Sequence, residues 1–376
     1  MLALEVVFWA CVGLLLWAHV GYPLVAAGAA RVRPRRVRKQ AIEPTVAVIV
    51  AAHNEEDVIA GRLENLLELD YPSDKLEVVV ASDASTDRTN DVVEQFAVHD
   101  PRVRLVRCPR GGKVAAQNFA VRLTKGEILA FSDANATWAP DALRKLVRSF
   151  ADSDVAYVCG RLHLREADGT NREAAYWRYE LWLREQESRL GSITGGNGAL
   201  YAVRRSDYLE VDPRFGHDLS LPYKLAQGRR RAVYEPDAEA FEKPSRDLED
   251  EYRRKVRMFE HCWLMTLSGG LLRGGGPLYL VQLVSHRLLR YGSGILHLIL
   301  LVTSFALMRQ GLVYELALSA QLAWLVLAAA GRLKAPIPGA GLAYYYFLVT
   351  WATLVSLVRY FRFGVPAVWE KAPGTR

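Results

Sequence analysis

Residues 45–56 read TVAVIVAAHNEE, and this stretch decides the fold. Its first part, Thr45–Ala51, is an unbroken apolar run of strand length, which is typical of a parallel strand buried on both faces. The run stops at the polar residues His53–Glu56, where Asn54 is placed to cap a helix and the two acids would occupy its first turn. The stretch therefore predicts a buried strand followed by a helix that extends to about Leu69.

The same alternation of strand and helix continues toward the C-terminus. Further strands are predicted at Leu76–Ala81, Val103–Val106 and Glu127–Phe131, and helices at Asp87–Ala97 and Lys113–Leu123. Alternating elements with short loops predict an α/β domain with a mostly parallel, doubly wound sheet. Ligands bind beyond the carboxyl ends of the strands in such a sheet. Because Asp83 and Asp133 each follow a strand, we expect the two strands to be adjacent and both carboxylates to face one cleft.

Glycine-rich motifs limit the kind of nucleotide enzyme that this chain can be. No G-x-G-x-x-G follows the first strand and no G-x-x-x-x-G-K-[ST] occurs, which argues against a dinucleotide-dependent enzyme and a P-loop ATPase. The nearest approach to a phosphate loop is Gly111-Gly112-Lys113, which is equally well a tight turn before a helix. A second glycine loop, Gly195–Ala199, follows a long polar helix at about Asn171–Leu190. After it, His217-Asp218 opens a further helix, and Arg231–Tyr234 reads as a strand.

An apolar segment precedes this domain. Val6–Ala30 contains no charged residue, and its 25 positions are enough for a membrane-spanning helix. A signal peptide carries its positive charge before the apolar run, whereas here six basic residues follow it. They are Arg31, Arg33, Arg35, Arg36, Arg38 and Lys39. The order predicts an uncleaved anchor whose C-terminal end is cytoplasmic.

Apolar segments return after about Met265. Gly292–Met308, Leu312–Ala330 and Leu342–Val358 are candidate spans, and Leu278–Tyr291 is amphipathic, as expected of a helix at the membrane surface. A buried hairpin of a soluble protein is disfavoured because three such segments fall within about 70 residues. We therefore divide the chain into an anchor with its basic segment (residues 1–40), an α/β domain (41–265) and a C-terminal membrane region (266–376).

Composition excludes several classes of protein. With 51% hydrophobic and 24% charged residues among 376, the chain is not disordered. The net charge of +7 (48 − 41) fits a nucleic acid, an anionic membrane or a phosphorylated substrate as partner. Nucleic acid is disfavoured because the basic run adjoins a membrane anchor and no aromatic-interleaved basic sheet motif occurs. Four scattered cysteines without a CxxC pair indicate neither a disulfide framework nor a zinc site.

Taken together, the motifs resemble those of the family 2 glycosyltransferases, in particular the membrane-embedded branch of cellulose, hyaluronan and poly-N-acetylglucosamine synthases. The motifs are Ala52-His53-Asn54-Glu55-Glu56, Ser82-Asp83-Ala84-Ser85-Thr86-Asp87, Gly112-Lys113 with Asn118, Ser132-Asp133-Ala134-Asn135, Gly195-Gly196-Asn197-Gly198-Ala199, His217-Asp218 and Arg254-Lys255-Val256-Arg257-Met258. The resemblance implies a GT-A fold and an inverting sugar transfer from a nucleotide-diphosphate sugar, a UDP-sugar above others, to a hydroxyl acceptor. It also implies a role in the synthesis of cell-surface polysaccharide or glycolipid.

On the donor side, the resemblance assigns roles to individual residues. Asp83 would bind the nucleobase, with Glu55 and the backbone near Ala52 completing that pocket. Lys113 would lie near the diphosphate, and Asp133 would hold a divalent metal. Mg²⁺ or Mn²⁺ suits hard oxygen ligands that share a phosphate partner.

The resemblance extends these roles to the metal, the leaving group and the acceptor. Asn135 would be the second metal ligand, and Arg254 and Arg257 would neutralise charge on the departing diphosphate. Gly196 and Asn197 would contact the acceptor in the Gly195–Ala199 loop. Asp218 would act as the general base that takes the proton of the attacking hydroxyl.

Four positions depart from the familiar synthase pattern, and one of them is Arg254 in place of the glutamine of Gln-x-x-Arg-Trp. Asn135 stands where the second acid of Asp-x-Asp is usual, and an amide adds no charge to a metal site. Met258 replaces the tryptophan of Gln-x-x-Arg-Trp, so the flat face that stacks on an acceptor sugar is missing. This weakens the case for a long-chain synthase more than the case for sugar transfer. His217 occupies a usual acid position, where it either tunes Asp218 or is an exposed loop residue.

Two alternatives follow from these departures. One is the transfer of a single sugar to a polyprenyl-phosphate or another lipid acceptor. The other is a membrane transport component whose α/β domain senses a nucleotide, a role that would leave Asp218 without a task. In every case we expect a multi-pass protein of the cell membrane with a cytoplasmic α/β domain. The side of the C-terminus stays open, because one anchor and three later spans place it outside whereas Arg359, Arg362 and Lys371 favour the inside.

Overall fold

The computed structural model describes residues 1–164, 172–243 and 248–368. The α/β domain is built on one eight-stranded sheet in the order β3-β2-β1-β4-β7-β6-β8-β5. The strands are β1 Val46–Ala52, β2 Leu76–Asp83, β3 Val103–Cys108, β4 Ile128–Asp133, β5 Thr137–Trp138, β6 Val155–Leu164, β7 Tyr201–Arg204 and β8 Arg231–Glu242. In the part β3-β2-β1-β4, all neighbouring strands are parallel, and β8 is parallel to β6. Strand β7 is antiparallel to both β4 and β6, and β5 is antiparallel to β8. The predicted mostly parallel α/β sheet is confirmed.

The strand β1 lies at the centre of the parallel part and is buried on both faces. Its residues alternate between two apolar clusters: Val46, Val48 and Val50 pack into one, and Ala47 and Ile49 into the other. The helices that cover the parallel part are Ile59–Leu67, Thr89–His99, Lys113–Leu123 and Ala142–Val147. A continuous apolar strand with helices on both faces is the arrangement expected of a parallel sheet.

Two local predictions around β1 are wrong. The strands β2 and β4 are not adjacent, because β1 lies between them, with Ala52 paired to Ser82 and Ala51 to Asp133. Asn54 does not cap a helix, since the next helix begins at Ile59. Instead Asn54 adopts a left-handed backbone (φ 54°), and its Oδ1 accepts the N–H of Thr86 at 2.8 Å. This bond ties the end of β1 to the turn after β2.

Three helices in the second half of the domain carry the remaining motifs. They are the long helix Arg172–Leu190, the base helix His217–Gln227 and the helix Leu248–Leu267. The predicted start of the long helix at Asn171 lies outside the described residues, as does Lys371. Strand β8 continues to Glu242, beyond the predicted end at Tyr234, after an irregularity opposite Gly160 and Arg161.

Among the described residues, three helices are long and apolar enough to cross a membrane. They are the anchor helix Leu2–Val32, which contains a π-helical turn at Trp17–Gly21, and the helices Leu312–Arg332 and Ala340–Phe363. A fourth span is possible only if two consecutive helices cross the membrane as one unit. They are the interfacial helix Pro277–Tyr291 and the helix Ser293–Leu307, which meet at an angle of 61°. The predicted apolar segments at both ends of the chain are therefore confirmed by length and composition.

The chain after Phe363 returns to the α/β domain. Val365 packs against an apolar cluster that includes Phe215 and Tyr223, and a Cβ on Gly112 would collide with the carbonyl oxygen of Ala367. The last described residues and the domain therefore lie on the same side of any membrane that the helices cross. An even number of crossings would separate them, which agrees with the two later helices that are each long and apolar enough to cross alone.

We expect cysteine labelling to report this shared side. Cysteines introduced at Arg36 and Pro366, both exposed, should react with an impermeant maleimide under the same conditions, before or after the membrane is opened. The four native cysteines are buried and should stay silent, so the parent protein is the control. Reaction of one introduced cysteine from outside intact cells and of the other only after opening would contradict this topology.

Candidate active site

The carboxyl end of β2 meets the loop Arg110–Gly112, which precedes the helix Lys113–Leu123. Asp83 is 2% exposed, and its carboxylate accepts the backbone N–H groups of Gly111 (2.7 Å) and Gly112 (3.0 Å) and pairs with the Arg110 guanidinium. Gly112 has φ 88°, a conformation that favours glycine. Asp83 therefore shapes the loop that the sequence offered as a phosphate loop.

The motif after β1 lies next to Asp83, as the predicted donor pocket requires. A ring nitrogen of His53 (Nδ1) is 2.8 Å from the carbonyl oxygen of Asp83. The Glu55 N–H donates to Thr89 Oγ1 at 2.7 Å, so Glu55 is held against the helix that follows β2. The structure thus brings the Glu55 and Asp83 segments together at one end of the sheet.

Lys113 and Asp133 form an ion pair at the end of β4. Burial pulls the pKa of Lys113 down, but the charges of Asp133 and Asp218 outweigh it, so the pKa is raised and Lys113 is a cation. A Cβ on Gly198 would lie 2.8 Å from Lys113 Nζ and 3.1 Å from Asp133 Oδ2. The loop Thr194–Gly198 therefore covers the pair, and Gly198 of the predicted glycine motif lies closer to the pair than the motif alone indicated.

Asp218 lies in the first turn of the base helix. Burial, in the first place, and the nearby charge of Asp133 raise the pKa of its carboxyl, against the opposing charge of Lys113. Its backbone carbonyl accepts the Gly196 N–H at 2.7 Å. The base helix and the Thr194–Gly198 loop thus form one unit beside the Lys113–Asp133 pair.

The Thr194–Gly198 loop is shaped by contacts that leave its glycines no room for side chains. A Cβ on Gly196 would collide with the Tyr157 hydroxyl. The Asn197 amide donates to the Gly160 carbonyl at 2.8 Å, and its Oδ1 accepts the N–H groups of Ala199 (3.1 Å) and Leu200 (3.0 Å). The side chain of Asn197 holds the loop, so an acceptor would meet the loop backbone.

His217 is not an exposed loop residue. It is 2% exposed, and its ring contacts the Tyr201 hydroxyl (3.2 Å), Asn118 Oδ1 (3.0 Å) and the Tyr208 hydroxyl (3.3 Å). Burial and, less strongly, the charge of Lys113 lower the pKa of His217 to about 3, so the ring is neutral. It braces the base helix against the sheet and the Lys113 helix.

Two basic residues of the predicted site lie on the helix Leu248–Leu267. Arg254 pairs with Glu251 at 2.8 Å. Burial, followed by the charge of Arg254, lowers the pKa of Arg257. Their predicted contact with a diphosphate stays a prediction.

Glu242 is a residue that sequence reasoning missed. It ends β8, and burial together with the charge of Asp133 raises its pKa to about 7, against the charges of Lys113 and Arg254. Glu242 therefore interacts electrostatically with the Lys113–Asp133 pair. An acid at the end of a longer β8 was the available signal, since carboxyl ends of strands in this class face the site.

The residues present fit a divalent cation that is shared with a diphosphate. Asp133 and Asn135 follow β4 and offer a carboxylate and an amide oxygen. Within the described residues, no three His, Cys, Asp or Glu side chains are close enough together to enclose a metal by themselves. Mg²⁺ is commonly bound through one or two carboxylates plus substrate phosphates rather than by an all-protein cage. The donor set therefore suits a metal that arrives with the nucleotide.

Comparison with known proteins agrees with this geometry. Residues 47–211 match the family described as Glycosyl transferase family 2. The beta-monoglucosyldiacylglycerol synthase of Nostoc sp. is 34% identical over 213 residues, which are 54% of this chain and 45% of that protein. The N-acetylglucosaminyltransferase of Rhizobium meliloti is 28% identical over 307 residues, which are 75% of this chain and 70% of that protein. The match thus spans less than half of the Nostoc protein.

A solved structure covers nearly the whole chain. The mannosyltransferase PcManGT from Pyrobaculum calidifontis, in complex with GDP-Man and Mn²⁺, aligns with a TM-score of 0.73 and 26% identity, over 95% of this chain and 99% of that one. The likeness includes the helices at both ends as well as the α/β domain. Residues 47–211 thus form a family 2 glycosyltransferase domain in a GT-A fold, and apolar helices lie at both ends of the chain.

Proposed function

We propose that this protein transfers a single sugar, with inversion, from a nucleotide-diphosphate sugar to a hydroxyl group of a membrane lipid. One observation carries the proposal: the Lys113–Asp133 ion pair and the buried carboxyl of Asp218 lie near each other, and the Thr194–Gly198 loop covers the pair. One half of this arrangement suits a diphosphate and its metal, and the other half suits proton removal from an acceptor.

The donor would lie across the ends of β1, β2 and β4. Its nucleobase would be near Asp83 and Glu55, and its diphosphate near Lys113, with Arg254 and Arg257 supplying further positive charge. When bound, Mg²⁺ or Mn²⁺ held at Asp133 and Asn135 would supply charge neutralisation to the diphosphate as a leaving group. UDP is the favoured nucleotide on the resemblance, and GDP is the alternative because PcManGT is in complex with GDP-Man.

The chemical step is a single displacement. The acceptor oxygen forms a bond to the anomeric carbon from the face opposite the diphosphate, the bond between that carbon and the diphosphate oxygen breaks, and the hydroxyl proton passes to Asp218. The raised pKa of Asp218 makes it a stronger base than an exposed aspartate. A nucleotide-sensing transport component would have no use for this carboxylate.

Three observations favour a lipid acceptor. The name of the Nostoc relative gives diacylglycerol as part of its product. The base helix and the interfacial helix share an apolar cluster through Tyr223, Tyr279 and Leu283, so the acceptor side faces the membrane region. Met258 provides no flat face for a long glycan. A glycan acceptor in polysaccharide synthesis is the second candidate, which rests on the resemblance to the membrane-embedded polysaccharide synthases.

The location of the reaction is also part of the proposal. The basic run at residues 31–39 directly follows the anchor helix, and such runs stay on the cytoplasmic side. The catalytic domain would therefore be cytoplasmic, where sugar nucleotides are supplied.

A donor panel tests the function. Membranes that contain the protein are incubated with radiolabelled UDP- and GDP-sugars and either Mg²⁺ or Mn²⁺, and products are separated into organic extract and water-soluble glycan. We expect label in the organic extract with one donor. Label confined to long water-soluble chains would favour the glycan acceptor. No incorporation above the level of membranes without the protein, with any donor, would overturn the proposal.

Replacing Asp83 with Asn is expected to weaken UDP or GDP binding roughly 10- to 100-fold, as follows from losing hydrogen bonds to a charged group. The carboxylate accepts two backbone N–H groups and one guanidinium, and an amide cannot accept all three. Calorimetric titration with Mn²⁺ present measures the change. Glu77→Gln, at the start of the same strand, is the control and should bind normally. Unchanged affinity in Asp83→Asn would contradict the donor-side role.

A further inference from the structure

A buried ionic cluster joins the long helix to the interfacial helix, outside the candidate active site. Glu180 and Glu187 come from the long helix, and His286, Arg287 and Arg290 from the interfacial helix. The side chains of Glu187 and His286 are both 1% exposed. Burying charges costs free energy, and an apolar replacement of similar volume is often as stable. Stability alone is therefore a weak explanation for an ionic cluster at this place.

Glu187 binds three separate parts of the chain. Its Oε1 accepts the Tyr22 hydroxyl of the anchor helix at 2.8 Å and lies 2.8 Å from His286 Nδ1 of the interfacial helix. Its Oε2 accepts the Thr194 hydroxyl at 2.9 Å and the Thr194 N–H at 3.3 Å. One buried carboxylate thus sets the relative position of two membrane-region helices and the first residue of the Thr194–Gly198 loop.

The interfacial helix also contacts this loop directly. Arg287 donates from Nε to Thr194 Oγ1 at 2.9 Å, and a Cβ on Gly195 would lie 2.7 Å from Arg287 Nη2. These contacts come from a π-helical turn, Leu283–Leu288, and single π turns within helices are frequent at functional sites. The guanidinium therefore lies close against the loop backbone at Gly195.

The contacts continue from the loop to the base. Two residues after Thr194, the Gly196 N–H donates to the Asp218 carbonyl at 2.7 Å. A continuous path thus runs from the anchor and interfacial helices through Glu187 and Thr194 to the backbone of Asp218. The Lys113–Asp133 pair meets this loop at its other end, at Gly198, four residues after Thr194.

We propose that Glu187 is a positioning residue. Through Thr194 it sets the position of the Thr194–Gly198 loop and of the base Asp218 according to the position of the anchor and interfacial helices. The inference rests on the proposed function, because it assumes that Asp218 is the base. It implies that turnover depends on the membrane region while nucleotide binding does not.

Two substitutions test the path in the full-length protein in lipid nanodiscs. Glu187→Gln removes the carboxylate, and Thr194→Val removes only the hydroxyl at nearly constant volume. Both should lower kcat on the order of 10- to 100-fold, the effect expected from a small displacement of a catalytic group. The affinity for UDP or GDP with Mn²⁺ should not change. Thr194→Ser restores the hydroxyl and should restore kcat. Glu185→Gln on the same helix, which removes an exposed pair with Arg189, is the matched control.

Hydrogen exchange supplies a readout that needs no donor. In Glu187→Gln and Thr194→Val, exchange should rise at residues 194–198 and 216–219 and stay unchanged at residues 110–113. A normal kcat in both variants would overturn the inference, as would parallel losses of kcat and nucleotide affinity. If Asp218→Asn also kept normal turnover, the proposed function itself would fail; if Asp218→Asn lost turnover, only the positioning role would fail.

Discussion

Asp218→Asn is expected to lower turnover about 10²- to 10⁴-fold, the usual worth of a general base. An amide cannot take the proton of the attacking hydroxyl, and its size is close to that of the carboxylate, so folding should change little. Nucleotide affinity should be nearly intact, because the base acts on the acceptor. The two quantities are measured by sugar transfer in detergent and by calorimetric titration of UDP or GDP with Mn²⁺.

The pH dependence of turnover gives an independent check on the same residue. Burial raises the pKa of Asp218, and only the ionised form accepts a proton. Turnover should therefore fall as the pH is lowered through this raised pKa, at a higher pH than for an ordinary aspartate. Asp212→Asn, in the exposed pair with Arg214 just before the base helix, is the control and should keep the parent profile. Near-normal turnover in Asp218→Asn would remove the base from the mechanism.

Asp133→Asn is expected to damage both donor binding and turnover. The carboxylate pairs with Lys113 and is the charged member of the proposed metal site, so its loss removes a metal ligand and leaves Lys113 in a less negative site. We expect the affinity for nucleotide with Mn²⁺ to fall by at least about 10-fold, since hydrogen bonds to charged groups are worth about 1.5–3 kcal/mol. Turnover should fall further, because the diphosphate must also depart.

The matched variant for this test is Asn135→Asp, which supplies the second carboxylate of Asp-x-Asp. It should raise the affinity for Mn²⁺ in the presence of nucleotide, because a carboxylate adds charge to an oxygen ligand that is now neutral. Titrations of UDP or GDP with and without Mn²⁺, and of Mn²⁺ by electron paramagnetic resonance, separate the two effects. If Asp133→Asn binds Mn²⁺ and nucleotide like the parent, Asp133 is not at the diphosphate and the donor-side assignment is wrong.

Several features follow from the sequence because they depend on local chemistry. Every side chain of the run Thr45–Ala51 except the first is apolar, so the run removes its apolar surface from water only if both faces are buried. It forms the central strand Val46–Ala52. The helix Lys113–Leu123 has the predicted bounds. The apolar helices at both ends follow from length and composition, which need no tertiary contact.

Other features depend on the neighbours that folding supplies. The order of strands is not encoded in the spacing of Asp83 and Asp133, so the placement of β1 between β2 and β4 could not be read from it. Asparagine is a common helix N-cap residue, but Asn54 instead accepts a hydrogen bond from Thr86 in another loop and has a left-handed backbone conformation. Local sequence offers both conformations, and the long-range contact selects one.

The sequence by itself thus determined the α/β class, the apolar ends and the candidate carboxylates at strand ends, because periodicity and residue type act over a few positions. Only the tertiary structure decided that His217 is a buried neutral brace, that Glu242 interacts with the Lys113–Asp133 pair, that Gly198 adjoins this pair, and that the chain after Phe363 returns to the domain. Burial and electrostatic neighbours arise from residues distant in the chain. These interactions exist only once the sheet, the base helix and the membrane helices have packed together.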